Sequence, residues 1–241
     1  MGNQQLYNLD NKTLQVLLSG KLGDGHFIEY VNGYSFHSNC IHKEYIDFKT
    51  EMLEKRFVVN TNSVINRGFK QTMIHNLYTR SYPEIKLVHQ LSIEETLNML
   101  DDFGLALWLY DDGTLHQEKS FYNLCTHSFP KELQLDVIIP KLKEKWDITC
   151  NCVSEKKKDG RVFWYLNISK YHGSYVITKI LEKVPFKCFE YKLWSSTTIQ
   201  KWSKFQEELK SRDTSKFKDL RPRQVAAHYA RIWEKINKED V

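Results

Sequence analysis

The chain repeats itself. Leu17–Gly25 (LLSGKLGDG) and Leu105–Gly113 (LALWLYDDG) are nine-residue segments that each close on an acid and a glycine, 88 positions apart. Downstream, Tyr34-Ser-Phe-His-Ser38 answers Tyr122-Asn-Leu-Cys-Thr126 at the same offset, and Asp47…Leu53…Arg56-Phe57 answers Asp136…Leu142…Lys145-Trp146 at 89. Tyr78-x-x-Ser81-Tyr82-x-x-x-Lys86 then matches Tyr171-x-x-Ser174-Tyr175-x-x-x-Lys179 at 93. A slowly drifting offset is what small loop insertions produce, so four ordered matches constrain the chain to two similar units.

Each unit has the same coarse plan. A first helix starts near Asp10 or Asn11, carries Leu14, Leu17, Leu18 and Leu22 at helical spacing, and stops at Gly23-Asp-Gly25. Its counterpart starts at Ser92 with Glu95 completing a capping box, bends around Asp101–Gly104 and ends at Gly113. Strand-like runs follow at Tyr34–Asn39 and Phe121–Thr126, then helical stretches at Glu44–Phe57 and Glu132–Trp146. A second strand pair is clearest at Val153–Glu155 and Arg161–Ile168, with Gly68 expected to turn the first-half equivalent, and a closing helix spans Ser174–Val184. The expected fold is α+β: two pseudo-symmetric αββαββα repeats, 1–90 and 91–194, followed by a helical extension over 195–241.

That extension holds 11 Lys and Arg against 7 Asp and Glu, while the whole chain is only +5, so its charge favours a polyanionic partner. Trp202, Phe205 and Leu209 are helically spaced, as are Val225, Ala226, Tyr229, Ile232, Trp233 and Ile236; two amphipathic helices docked on the body are expected. Five cysteines form no disulfide framework, and Cys150-x-Cys152 is too tight for a zinc knuckle. The longest apolar stretch, Phe103–Tyr110, is far below a membrane span, and no signal core opens the chain, so an intracellular protein without a membrane partner is expected. Lysine outnumbers arginine 27 to 8 and alanine occurs four times, a bias that marks an A·T-rich gene.

The paired motifs carry the chemistry. Ser19, Gly20 and Gly23 in the first helix, and Gly104 and Ala106 in the second, are small enough to let two helix backbones approach side by side. Their C-terminal ends would then bring Asp24 and Asp112 within a few ångströms, where like charges repel unless a cation sits between them. Hard divalent ions take carboxylate oxygens and the open carbonyls of helix ends, and such a site activates water for phosphodiester hydrolysis.

On these residues the chain resembles the LAGLIDADG homing endonucleases in their single-chain, two-motif form. The second motif is close to an LAxWxxDDG pattern, and the likeness runs on through Thr126-His-Ser-Phe129, Phe163–Ile168 and Phe189-Glu-Tyr-Lys192-Leu193. The resemblance implies paired central motif helices and two antiparallel four-stranded sheets forming a DNA-binding saddle. It implies a monomer that cuts both strands of double-stranded DNA at a long recognition site, leaving short 3′ overhangs, with Mg²⁺ or Mn²⁺ as cofactor. Asp24 and Asp112 would bind metal together with the carbonyls of Gly23 and Asp111, and Lys192 matches a family lysine that helps activate water. Asn39 and His127 fall where a polar residue positions water. The first half lacks a counterpart of Lys192, for which Lys86 is the candidate substitute. Ser19 and Lys21 depart from the motif; Lys21 is harmless if it faces solvent and disruptive if it faces the partner helix.

Sheet residues would read bases, with Tyr34, Phe36, Arg67, Lys70, Arg161 and Tyr165 as candidates, although strand alternation places only half of such a set on one face. The competing reading is a non-cleaving nucleic-acid-binding protein, an intron RNA maturase or a transcription regulator. Retention of both motif acids favours cleavage.

Overall fold

The structure is a computed structural model that describes residues 8–66, 72–116, 121–168, 172–210, 231–232 and 236. It forms two compact units, 1–193 and 194–241.

In the first unit, α1 (Asn11–Leu22) leads into the hairpin β1 (His26–Tyr30) and β2 (Gly33–Cys40), then α2 (Lys43–Glu54), β3 (Val59–Asn66), β4 (Thr72–Thr79) and α3 (Pro83–Gln90). The second half runs through α4 (Ile93–Met99), α5 (Asp102–Asp112), β5 (Gly113–His116) and β6 (Phe121–Leu124). A helical stretch α6 follows, made of Lys131–Leu133, a π turn at Gln134–Ile138, and Ile139–Trp146. The half ends with β7 (Cys150–Lys156), β8 (Val162–Ile168), α7 (His172–Glu182) and a 3₁₀ turn at Lys187–Lys192. Each half contributes one antiparallel four-stranded sheet, ordered β1-β2-β4-β3 and β5-β6-β8-β7.

The local signals explain the boundaries. Asp10 caps α1 by accepting from the Thr13 N–H, and the Ser92–Glu95 capping box opens α4. The helix expected from Ser92 to Gly113 is in fact two helices. Asp101 acts as a fresh cap, accepting from Gly104 N at 2.9 Å, so the chain turns between Leu100 and Asp102 before the motif segment begins. Both motif helices are buried almost all round: Val16, Leu17, Leu18 and Leu105–Trp108 are essentially inaccessible, which marks them as the centre of a larger core.

Strands β1 and β5 form one edge of their sheets. Phe36, Leu77, Leu124 and Leu166 project into the helix side, leaving the alternate residues on an open face. Register joins His26, His37, Tyr78 and Asn60 into one cross-strand row of the first open face, and Thr114, Asn123, Asn167 and Asn151 into the matching row of the second. Each row begins two residues after a motif acid. Tyr78 therefore corresponds to Asn167, and the 93-residue offset does not describe the strands. Gly68 lies outside the described residues.

In the second unit, Ser195 caps the helix α8 (Ser196–Lys210) through Thr198 N. Trp202 lies 6.2 Å from Trp194 and 5.0 Å from Phe205, between ring centroids. Most of the second expected tail helix lies outside the described residues. Among the described residues no helix is long and apolar enough to cross a membrane.

Candidate metal centre and nucleic-acid interface

The site is built where the two motif helices end side by side. Gln15 of α1 ties the helices at their other end, donating to the Met99 carbonyl at 3.0 Å and accepting from Asp101 N at 2.9 Å. Gly104 leaves room for this contact, since a Cβ there would lie 2.2 Å from Gln15 Oε1 and would force the amide to shift. At the end that carries the motif acids, a Cβ on Gly23 would meet Asp112 Oδ2 at 2.6 Å and Asp111 Cβ at 3.2 Å. The missing side chain is what lets the two motif ends close on each other. Gly20 serves differently from the expectation: its open space holds the Phe36 ring, not the partner helix.

Asp24 and Asp112 are brought into one electrostatic cluster. Burial, then Asp24, then Asp111 push the Asp112 carboxyl up to about 8. Burial and Asp111 also raise Asp24, against the pull of Lys49, Lys192 and His26. Among the described residues, the buried Trp108 indole N–H makes no hydrogen bond to another side chain or to the backbone. Asp112 also fixes its strand through its own carbonyl, which accepts from Cys125 N at 3.0 Å.

Whether these residues fit a divalent ion follows from the donor set. Among the described residues no three His, Cys, Asp or Glu side chains converge as a ready-made metal site. The side-chain donors that cluster here are the two carboxylates of Asp24 and Asp112. A crowded, partly desolvated acid pair is what a hard cation relieves, so the residues fit.

Two buried lysines border the cluster. Lys192 donates to the Tyr110 carbonyl at 2.5 Å and to Leu109 at 3.4 Å, neutralising the C-terminal end of α5. Burial lowers its pKa while Asp111 and Asp112 pull it up. The second is Lys49, which the sequence reading missed. It bonds both oxygens of Asp111 at 2.9 Å with both side chains buried, and sits 4.3 Å over the Tyr45 ring. The signal was present: Tyr45, Ile46, Lys49, Met52 and Leu53 form the buried stripe of α2, and a lysine in such a stripe needs a counter-charge. Lys86, by contrast, is exposed on α3 and is not among the charges acting on Asp24 or Asp112. Lys21 avoids the partner helix and instead donates to the His89 carbonyl at the end of α3.

The remaining candidates divide by strand parity. Phe36 is fully buried and Tyr34 stacks on His89 at 4.7 Å on the helix side, so neither belongs to an open face. Tyr165 is on the open face of the second sheet, lining a cavity of about 330 Å³ with Asp112, Thr114, His116, Asn123 and His127. His127 lies 5.3 Å from Phe163 and 5.9 Å from Tyr165. Asn39 is exposed in a row with Asn76 and Asn62 on the first open face. Arg161 is at the β7–β8 turn, ion-paired with Asp159, and Arg67 and Lys70 lie outside the described residues.

Known proteins share this fold. The structure resembles the homing endonuclease I-WcaI bound to its DNA recognition sequence, with a TM-score of 0.61, 17% identity, and coverage of 78% of this chain and 88% of that one. It is also similar to I-DmoI in complex with DNA and Mn (TM-score 0.45, 11% identity, 66% and 91% covered). Full-length DUF199/WhiA from Thermatoga maritima gives a TM-score of 0.48 at 9% identity, with 95% and 93% covered. A search of curated protein sequences finds no match. The model of the LAGLIDADG DNA endonuclease family matches residues 15–174, spanning both motifs, both sheets and the seam between them, and the chain belongs to that family.

Proposed function

We propose that the protein is a site-specific endonuclease of the homing type, hydrolysing both strands of a long duplex site to leave short 3′ overhangs. The observation that carries this reading is the convergence of Asp24 and Asp112 at two helix ends, with Gly23 lacking the side chain that would part them.

A divalent ion, Mg²⁺ or Mn²⁺, would be held by the two carboxylates with the Gly23 and Asp111 carbonyls, supplying an activated water and charge stabilisation at the phosphate. The chain's own residues prepare that chemistry. Lys192, anchored on the Tyr110 carbonyl, adds positive charge beside the developing negative charge. Lys49 pairs with Asp111 and pulls against the rise at Asp24, partly offsetting the third acid. Asn39 and His127 are suited to hold water near each half of the site. The open faces of the two sheets are the surfaces on which DNA would lie, in a monomer whose two halves take the place of two subunits.

Cleavage of a genomic or randomised DNA library in Mg²⁺, with Asp24→Asn and Asp112→Asn alongside, tests the reading. Discrete cuts with 3′ overhangs that vanish in both variants are expected. Specific binding without cutting by the unaltered protein would overturn the catalytic assignment in favour of a binding protein such as a maturase.

A further inference from the structure

Resting on the endonuclease reading, we propose that the recognition sequence is A·T-rich, with adenines read by asparagines on the open faces of both sheets. The chain has 14 asparagines, and eight lie in strands. All eight are on the open faces. In the first sheet Asn60, Asn62 and Asn66 share the parity of Asn76, Asn39 and Tyr78. In the second, Asn123, Asn167 and Asn151 lie side by side across three strands.

Asparagine is depleted in strands, so its concentration there needs a reason. An A·T-rich gene raises asparagine, but it raises lysine as well, and lysine is nearly twice as abundant in this chain. The described strands nevertheless carry one lysine, Lys156, paired with Val162 and so on the opposite parity to Tyr165 and Asn167. They carry no arginine. Codon bias does not choose between two faces of a sheet or between two residues it favours alike.

The chemistry of base edges gives the selection a meaning. Arginine and lysine are the usual readers of guanine, through O6 and N7. Asparagine is matched to adenine, accepting from N6 and donating to N7. Asn76 Nδ2 donates to Asn62 Oδ1 at 2.8 Å, and Asn167 Nδ2 donates to Asn123 Oδ1 at 2.8 Å. Each bond uses one of two amide hydrogens and holds the donor amide in a fixed orientation. The second hydrogen and Oδ1 of Asn76 and Asn167 are the pair adenine requires. Ile28, Val64, Ile74 and Val153 stand on the same faces, where they suit thymine methyl groups. Glu155, the kind of residue that accepts from cytosine, is ion-paired with Lys157 at the outer end of the second sheet.

The test is selection from duplexes of balanced base composition carrying a long randomised segment. The full chain is used in Ca²⁺, and Asn76→Ala, Asn167→Ala and Asn76→Arg are run in parallel, with melting curves showing that all remain folded. The expected motif is dominated by A·T pairs. Each alanine variant should relax an adenine preference by roughly 5- to 100-fold at one or two positions in its own half-site. Asn76→Arg should shift one such position toward guanine. A motif dominated by G·C pairs, or one unchanged in all three variants, would overturn this inference and leave the endonuclease reading standing. Binding with no sequence enrichment would overturn both.

Discussion

The two halves share a skeleton and differ in what they bury. Lys49 of α2 and Ile138 of α6 occupy equivalent places, both inaccessible, and Asp111 and Gly23 are the equivalent residues that precede the motif acids. One side therefore has a lysine bonded to an aspartate, and the other has an isoleucine and a glycine at the mirror positions. The pseudo-dyad governs the backbone and stops at the charge. A buried ion pair that crosses from the first half into the second motif makes the centre polar on one side, so the two carboxylates do not sit in equivalent fields. Asp24 is acted on by Lys49, Lys192 and His26, whereas Lys192 is the lysine acting on Asp112.

The largest expected effect would break the comparison at the acids themselves. Asp24→Asn and Asp112→Asn should each reduce double-strand cleavage by about 100-fold or more while leaving binding in place, as read by gel assays on the selected target. Unequal loss of nicking on the two strands would measure how far the fields differ.

The next effect is on stability. Lys49→Met leaves Asp111 buried without its partner and should destabilise the fold by about 3–5 kcal/mol, measured by urea unfolding. Ile138→Val, at the mirror position, should remove about 0.5–1.5 kcal/mol. The double change Lys49→Ile with Asp111→Gly copies the other side and should recover most of the loss. If Lys49→Met proves as mild as Ile138→Val, the asymmetry is cosmetic.

A third prediction concerns protons. The folded protein holds the Asp112 proton to about pH 8, whereas an unfolded chain releases it near pH 4. Between those values the native state binds more protons, so metal-free stability should fall as pH rises from about 4 to about 8, and Asp112→Asn should flatten that slope. A divalent ion competes with the same proton, so Mg²⁺ should stabilise more strongly as pH approaches 8, as melting curves at several pH values would record. The smallest effect is local: Ser92→Ala should remove about 1 kcal/mol by opening the capping box of α4, and Asp10→Ala a similar amount at α1.

What the sequence made legible was what depends on near neighbours in the chain. The caps at Asp10 and Ser92, the small residues at the motif ends and the paired acids are all local patterns, and they locate the centre of the fold. Properties that depend on register were not legible. Tyr34 and Phe36 look like interface residues until strand pairing turns them inward, and the asparagine rows exist only once four strands are aligned. Lys49 was hidden for another reason: a lysine on a helix reads as solvated, and its partner is 62 residues away. Lys86 was the more obvious lysine, close to the repeat boundary, but α3 carries it out to solvent.

The seam between the halves has a consequence for the chain as a whole. Asn11 and Gln15 bond to residues 99–101, Tyr45 donates to Leu107, and Lys49 holds Asp111, so the first half grips the second along the full length of α5. The covalent link is far slighter, since Leu91 and Ser92 are all that separate α3 from α4. Severed at that link, the molecule would become an obligate heterodimer. Each fragment would leave its motif helix uncovered, and mixing them would bring Asp24 and Asp112 back into one cluster.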